Sequence, residues 1–311
     1  MDVNISIPGE KLLCRLLETV EKGIGGLLEP RQIRRVGNAQ LEIERRRELM
    51  LAQIRKEKEL INQGKVVLDP TFRVMLKSEN DDTISNGYIE RTISSQITRM
   101  ISREFNINNA IIYAEEELTN DESIPPEDIV NQDWLNQWAE YASLTFEKSL
   151  QRLWGKILAG EIKLPGKYSL RTLLFIKHIN QKDAEKITRI SPLVLGDFIF
   201  RDPDNIEKNV PFSVLLDLQE LGMIQGVDAM GLVENIDSKQ GDKFEESVVL
   251  GEKVLTVTSF GHKRKLRLTL PIYRVTPLGR EVFSLIDSKV DEKYILEVCE
   301  YIRNQGFEVL L

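Results

Sequence analysis

Histidine and cysteine are scarce in this chain of 311 residues, with two of each. Cys14 and Cys299 stand near opposite ends and no CxxC pair exists. That excludes a disulfide framework and points to a reducing compartment. With His178 and His262 as the only histidines, no zinc site is expected. No apolar run approaches the roughly 20 residues of a membrane span. The opening "MDVNISIPGE" has neither the basic nor the apolar region of a secretory signal, so a cytoplasmic protein is expected. GxSxG, P-loop, HExxH and paired-carboxylate patterns are all missing, so no catalytic residue, metal or cofactor is assigned. A net charge of −7 argues against a surface that binds nucleic acid throughout, while leaving local basic faces open.

What is present is enough apolar content, 41%, to build cores in two or three domains. Residues 9–28 read as an amphipathic helix, with Leu13, Leu17, Val20, Ile24, Leu27 and Leu28 along one face. Such a stripe fits a core or oligomer contact better than a helix lying on a membrane, although peripheral membrane contact is the alternative. Residues 31–64 are rich in helix formers. Val36, Ile43, Met50, Ile54 and Ile61 form a narrow stripe on this charged segment, suggesting a coiled-coil-like seam. Arg45, Arg46 and Arg47 on it are candidate phosphate or partner contacts, though a run of this kind is more often a solvated face. Residues 1–64 are therefore expected to drive homo-oligomerisation.

Residues 65–125 read as a connector: polar loops, then a helix striped by Ile89, Ile93, Ile97, Ile101 and Phe105. The acidic, proline-paired stretch 120–129 reads as a domain boundary. Residues 126–195 then read as a helical domain centred on tryptophan. Asp133 is the expected cap of a helix holding Trp134, Leu135, Trp138 and Tyr141. Ser143 or Thr145 should start the next, whose buried stripe is Leu150, Leu153, Trp154, Ile157 and Leu158. Ala159 and Gly160 would let another helix cross closely. "LPGKYS" is a turn through Pro165 and Gly166, after which Ser169 caps a third helix. A fourth starts near Asp183. Glu161, Arg171 and Asp183 are charged groups near these turns, and a structural pairing of Arg171 with Glu161 is preferred to a catalytic set.

The run "DW…LQRLWGKILAGEIKLPGKYSLRTL…KDA" resembles the signature of a bacterial family catalogued as a domain of unknown function. The likeness rests on Asp133 and Trp134, on Gln151, Leu153, Trp154 and Leu158 to Glu161, and on Pro165 and Gly166. Ser169, Arg171, Thr172, Asp183 and Ala184 complete it. It is sharp over residues 133–184. Gly155 stands where that family usually has Ala, a change that would loosen the helix. "LLEPRQIRRVGNAQLE" is also similar to the family's N-terminal segment. The tryptophan motif bears a looser likeness to the abortive-infection alpha proteins, which limit phage growth. That likeness implies phage defence as the setting, with a phage or host protein as partner. Neither family supplies catalytic residues to carry over.

Residues 196–311 read as a winged-helix-like α+β domain. A helix over 211–222 has Leu215, Leu216, Leu218 and Leu221 inward and closes at Gly222. "ESVVLGEKVLTVTS" and "KRKLRLTLPIYRV" alternate as strands. "YRVTPLGREVF" resembles a strand-to-helix entry of winged helices, with Thr276 as cap and Pro277 at the first helical position. A last helix and strand end the chain. The helix that would read DNA offers Asp217, Gln219 and Glu220, which suit phosphate poorly. Positive charge gathers instead at 262–267, where strand alternation puts Lys263, Lys265 and Arg267 on one face. The fold class expected is thus mainly α with a C-terminal winged-helix-like α+β domain. The function expected is a non-enzymatic interaction or effector protein, with a nucleic-acid-binding regulator as the alternative.

Overall fold

The computed structural model describes residues 9–24, 66–68, 74–76, 86–119, 121–201, 210–228, 232–239, 243–251, 253–259 and 266–310. The chain is mainly helical, with a sheet region towards its C-terminus. It divides into two compact units at Gly166–Lys167.

The first unit holds α1 (Glu10–Ile24), a short hairpin of β1 (Val66–Leu68) and β2 (Val74–Leu76), α2 (Asn86–Leu118), α3 (Gln132–Ser143) and α4 (Lys148–Lys163). The hairpin lies in a stretch whose polar composition suggested only loops. On α1 the fully buried seam is Leu12, Leu16 and Val20. Leu13, Leu17 and Ile24 sit half-buried at its flanks, so the expected stripe is rotated by one position, and Leu27 and Leu28 lie outside the described residues. This seam is covered within the chain's own helical unit, the core reading of the periodicity.

Residues 121–130, read from the sequence as a boundary, lie within the first compact unit. They strap α2 to α3 inside the first unit. Two side chains fasten the strap. One Arg15 guanidinium nitrogen donates to the carbonyls of Glu127 and Asp128 at 3.1 and 2.6 Å. Lys163, at the end of α4, meets Asp121 at 2.5 Å. α2 ends at Leu118, ahead of the proline pair, and the backbone carbonyls just after Pro126 serve as the anchors for Arg15.

The second unit begins with α5 (Leu170–His178) and α6 (Gln181–Ile190), followed by β3 (Phe198–Phe200), α7 (Phe212–Glu220), β4 (Ile224–Gln225) and β5 (Leu232–Asp237). Then come β6 (Phe244–Leu250), β7 (Lys253–Ser259), β8 (Arg267–Val275), α8 (Pro277–Phe283), α9 (Glu292–Asn304) and β9 (Glu308–Leu310). β8 is central: β3, β4 and β5 all pair with it antiparallel. β6, β7 and β9 make a separate antiparallel sheet in the order β6-β7-β9. The two β-rich stretches read from the sequence therefore belong to different sheets.

The helix ends explain why this sequence folds as it does. Gly222 at φ +75 closes α7. Its N–H and that of Met223 return to the carbonyls of Gln219 and Leu218, so the chain reverses with its last carbonyls paired. Thr276 accepts from Gly279 N at 3.0 Å and donates to Gly222 O at 2.7 Å, so one hydroxyl caps α8 and ties it to that turn. Gln305 blunts an edge of β8: its side-chain amide accepts from Thr269 N at 3.3 Å and donates to Thr269 O at 2.9 Å, standing in for a neighbouring strand.

Candidate functional site

In the first unit the motif is built around Trp154, which is 2% exposed. Its indole N–H donates to Thr145 Oγ1 at 3.0 Å, and that hydroxyl donates to Tyr141 O at 3.0 Å. Trp138 donates to the Trp154 carbonyl at 2.9 Å, while Tyr141 tilts against the Trp154 ring at 6.1 Å. The polar ends of two buried tryptophans are thus satisfied by the α3–α4 corner itself. Trp134 is also buried.

Below the corner lies a buried amide network that the sequence reading missed. Asn106 of α2 donates to Ser143 O at 2.8 Å. Gln151 donates to Asn106 Oδ1 and to Thr145 O at 3.0 and 2.9 Å, and accepts from Asn109 at 3.2 Å. Asn106 and Gln151 are each 2% exposed, which explains the Gln of the motif: a buried amide must be paired. Besides Gln151 of the motif, its trace in the sequence is an Asn at 106 and at 109, one helical turn apart.

The caps differ from expectation. Asn131, not Asp133, caps α3, accepting from Asp133 N and Trp134 N at 2.9 and 3.1 Å. Asp133 sits in the first turn, where the helix dipole favours its charge. Glu147, not Ser143 or Thr145, caps α4, accepting from Ser149 N and Leu150 N at 3.1 and 2.9 Å. These bonds and the one from the Ser149 hydroxyl hold the Glu147 carboxyl below its ordinary pKa, the hydroxyl foremost. Thr145 is needed for Trp154, and Ser143 spends its hydroxyl on Glu140 O. Leu150 falls outside the buried stripe and is 38% exposed, and Leu153 is half-buried.

The close helix crossing falls at Gly155, one turn before the expected Ala159 and Gly160. A Cβ at Gly155 would lie 2.5 Å from Tyr113 Cβ, 2.7 Å from Ala110 O and 2.9 Å from Ala114 N. The glycine therefore does not loosen α4; it lets α2 and α4 touch backbone to backbone. Glu161 is 1% exposed and accepts from Gly166 N at 2.6 Å, closing the turn through Pro165 in which Gly166 takes φ +83.

In the second unit Ser169 caps α5 as expected, accepting from Thr172 N at 3.3 Å. A second acceptor joins it from α8. Glu281 Oε2 takes the Ser169 N–H at 2.7 Å, the Ser169 hydroxyl at 3.0 Å and the Thr172 hydroxyl at 2.6 Å. Arg171 is exposed on the same helix, beside Gly222. Asp183 is the third residue of α6 and shares a reciprocal cap with Asn180: Asp183 N donates to Asn180 Oδ1 at 2.9 Å and Asn180 Nδ2 to Asp183 Oδ2 at 2.6 Å. Lys186 bridges Asp217 of α7 at 2.7 Å and Asp183 at 3.7 Å, chiefly the former, which raises its pKa.

Of the candidate contact residues, Arg45, Arg46, Arg47, Lys263 and Lys265 lie outside the described residues. Arg267 opens β8, directly opposite Asp237 of β5, and makes a two-pronged ion pair with it at 2.5 and 3.1 Å. That partner lowers the Asp237 carboxyl. Among the described residues no group of three or more His, Cys, Asp or Glu could hold a metal ion, and no helix is long and apolar enough to cross a membrane.

Residues 90–196 match the family model described as a protein of unknown function, DUF2806. No curated protein and no solved structure matches the chain.

Proposed function

We propose that this chain is a non-enzymatic interaction protein acting as an effector, with bacterial phage defence as its setting. One observation carries the reading. The polar side chains that mark the tryptophan motif bond to the ends and turns of their own fold: Glu161 to Gly166, Ser169 to Thr172 and Glu281, Asp183 to Asn180. Groups used in this way position helices rather than reacting atoms. The phage-defence setting rests on the likeness of the motif to the abortive-infection alpha proteins. The partner class is protein, whether a second copy or a phage or host component.

The C-terminal region fits a winged helix put to this use. β8 lies between β3 and β5, α7 falls between β3 and β4, and α8 leaves directly from β8. On this reading β3, β5 and β8 would serve as the three strands of the winged helix, with the last in sequence in the middle and α7 ahead of the second. The α7 sequence FSVLLDLQE has no basic residue, so it would meet a protein more readily than a phosphate backbone.

The test has two arms. Full-length protein titrated with duplex and single-stranded DNA and RNA should stay near background at 50 mM salt, and a steep salt-dependent affinity would instead establish a nucleic-acid regulator that uses Arg45–Arg47 and the 263–267 strip. Expression in a bacterial host should lower plaque formation by at least some of a broad phage panel, and plaque counts unchanged across the panel would remove the defence setting.

A further inference from the structure

β5 lies at an edge of its sheet, and among the described residues no strand pairs with its outer side. The phase of its ladder is fixed. Ser238 N donates to Leu266 O at 2.8 Å, and the two are partners in the same antiparallel register that sets Asn235 opposite Thr269. In such a register hydrogen-bonded pairs alternate with open ones. Ile236–Leu268, Glu234–Leu270 and Leu232–Ile272 are therefore the bonded pairs. Val233, Asn235 and Asp237 turn their N–H and C=O groups away from β8. The far side of β8 has the same phase. Arg201 N donates to Pro271 O at 2.9 Å, and the Gln305 amide engages both the N–H and the carbonyl of Thr269, so positions 269 and 271 point away from β5.

Val233, Asn235 and Asp237 are all exposed, so their outward backbone groups form one solvated edge. Edges are commonly blunted by a proline, a bulge or a covering side chain. Gln305 covers the far side of β8 in this way, whereas β5 has no proline and pairs without a bulge. Its charges are Glu234 and Asp237, with no basic residue in the strand. Arg267 neutralises Asp237, while Glu234 makes no ion pair among the described residues. A row of alternating donors and acceptors is matched by another extended chain. A second copy would bring the same uncompensated glutamate. Pairing along the six residues of β5 also covers far less than the roughly 800 Å² per partner of a stable dimer. An extended peptide needs no such area, because main-chain hydrogen bonds carry its affinity and alternate side chains its specificity. Beside Glu234 a basic side chain is favoured. Beside Leu232 and Val233, 37% and 53% exposed, an apolar one is.

We propose that β5 is a docking edge for an extended segment of a partner protein, carrying alternating basic and apolar side chains, which adds to the sheet as a further strand. The backbone groups of Val233, Asn235 and Asp237 supply its hydrogen bonds, and Glu234 selects its charge. The inference rests on the interaction-protein reading above and names one surface for it. Peptide titrations that fail leave the nucleic-acid and plaque results of that reading untouched.

The test titrates the full chain with capped hexapeptides in which valine alternates with lysine, threonine or glutamate. The lysine peptide should bind most tightly and the glutamate peptide least. The lysine peptide N-methylated at every residue should not bind, since it has no N–H to donate. Asn235→Pro removes one outward N–H without taking a bond from the β8 ladder, so the folded variant should bind the lysine peptide at least about tenfold more weakly. Should that variant fail to fold, the N-methylated peptide decides the same point on the unaltered chain. Glu234→Lys should reverse the order of the lysine and glutamate peptides. The proposal is overturned if no peptide binds at about 1 mM, if N-methylation leaves binding intact, if folded Asn235→Pro binds as the wild type does, or if Glu234→Lys keeps the original order. A concentration-dependent dimer of the full chain that Asn235→Pro abolishes would give the edge to a second copy and overturn it equally.

Discussion

Glu281 Oε2 stands 2.7 Å from the backbone nitrogen of Ser169 and accepts its N–H, although the two residues are 112 positions apart. The same oxygen also takes the hydroxyls of Ser169 and Thr172. A carboxylate from α8 thus holds the N-terminus of α5, where the helix dipole and free N–H groups favour an anion. Ser169, Thr172 and Glu281 act as one clasp.

Glu281→Ala should therefore destabilise the second unit by about 2 kcal/mol, the range for losing hydrogen bonds to a charged acceptor. Ser169→Ala in the Glu281→Ala background should cost clearly less than Ser169→Ala alone, because the partner has gone. Urea melts of the four proteins measure this coupling, and strictly additive losses would show that the clasp contributes nothing.

Gly155→Ala tests the crossing of α2 and α4. Helix propensity alone favours Ala over Gly by about 1 kcal/mol. Against this, the new methyl would meet a backbone carbonyl and a backbone nitrogen of α2 at 2.7 and 2.9 Å, and backbone inside a helix yields poorly. Overpacking of this kind costs about 1–3 kcal/mol, so the net change should be a lower Tm. A raised Tm would mean that the helices separate without penalty.

Legibility of the sequence tracked locality. The Ser169 cap, the Thr276–Pro277 entry and the strands ahead of it follow from neighbours in sequence, and each is present. The α1 seam, the caps of α3 and α4 and the role of Gly155 were misread for a shared reason. In each, two or more local solutions compete, and a distant element decides: Thr145 is taken by Trp154, and Gly155 meets Ala110 and Ala114 of α2. The acidic, proline-bearing strap looked like a linker because composition cannot reveal that Arg15 and Lys163 hold it. Glu281 was invisible for the same reason; one glutamate on an amphipathic helix carries no mark of the helix it will cap.

Trp154→Ala should be the most damaging of these changes, at about 3–5 kcal/mol, since a buried indole is removed and Thr145 loses its donor. Trp154→Phe separates the two contributions. It keeps most of the apolar volume but leaves the Thr145 hydroxyl without the indole N–H, so it should cost less than Ala yet more than a neutral swap. Thermal melts rank the three proteins, and a shift of less than a couple of degrees for Trp154→Ala would contradict a structural role.

The strap gives a dependence on pH with a definite sign. Lys163 and the Ser123 side chain and N–H, in that order of weight, hold the Asp121 carboxyl well below the usual carboxylate range. An unfolded chain would protonate this group near pH 4, so the folded state favours the ionised form. The contact therefore contributes stability above about pH 5, and that contribution is lost as the pH falls below about 4 towards the lower folded value. Asp121→Asn removes the charge at every pH. The wild-type protein should melt higher than Asp121→Asn at pH 6–7, by a modest amount because both partners are partly exposed, 35% for Lys163 and 27% for Asp121. The gap should narrow as the pH falls below about 4 and close only once the pH has passed below the lowered folded value. Salt near 1 M should shrink it at neutral pH, as screening weakens an exposed pair. A gap that stays constant from pH 7 to pH 2 would show that Asp121 acts through shape alone, and the strap would then be held by Arg15 and packing.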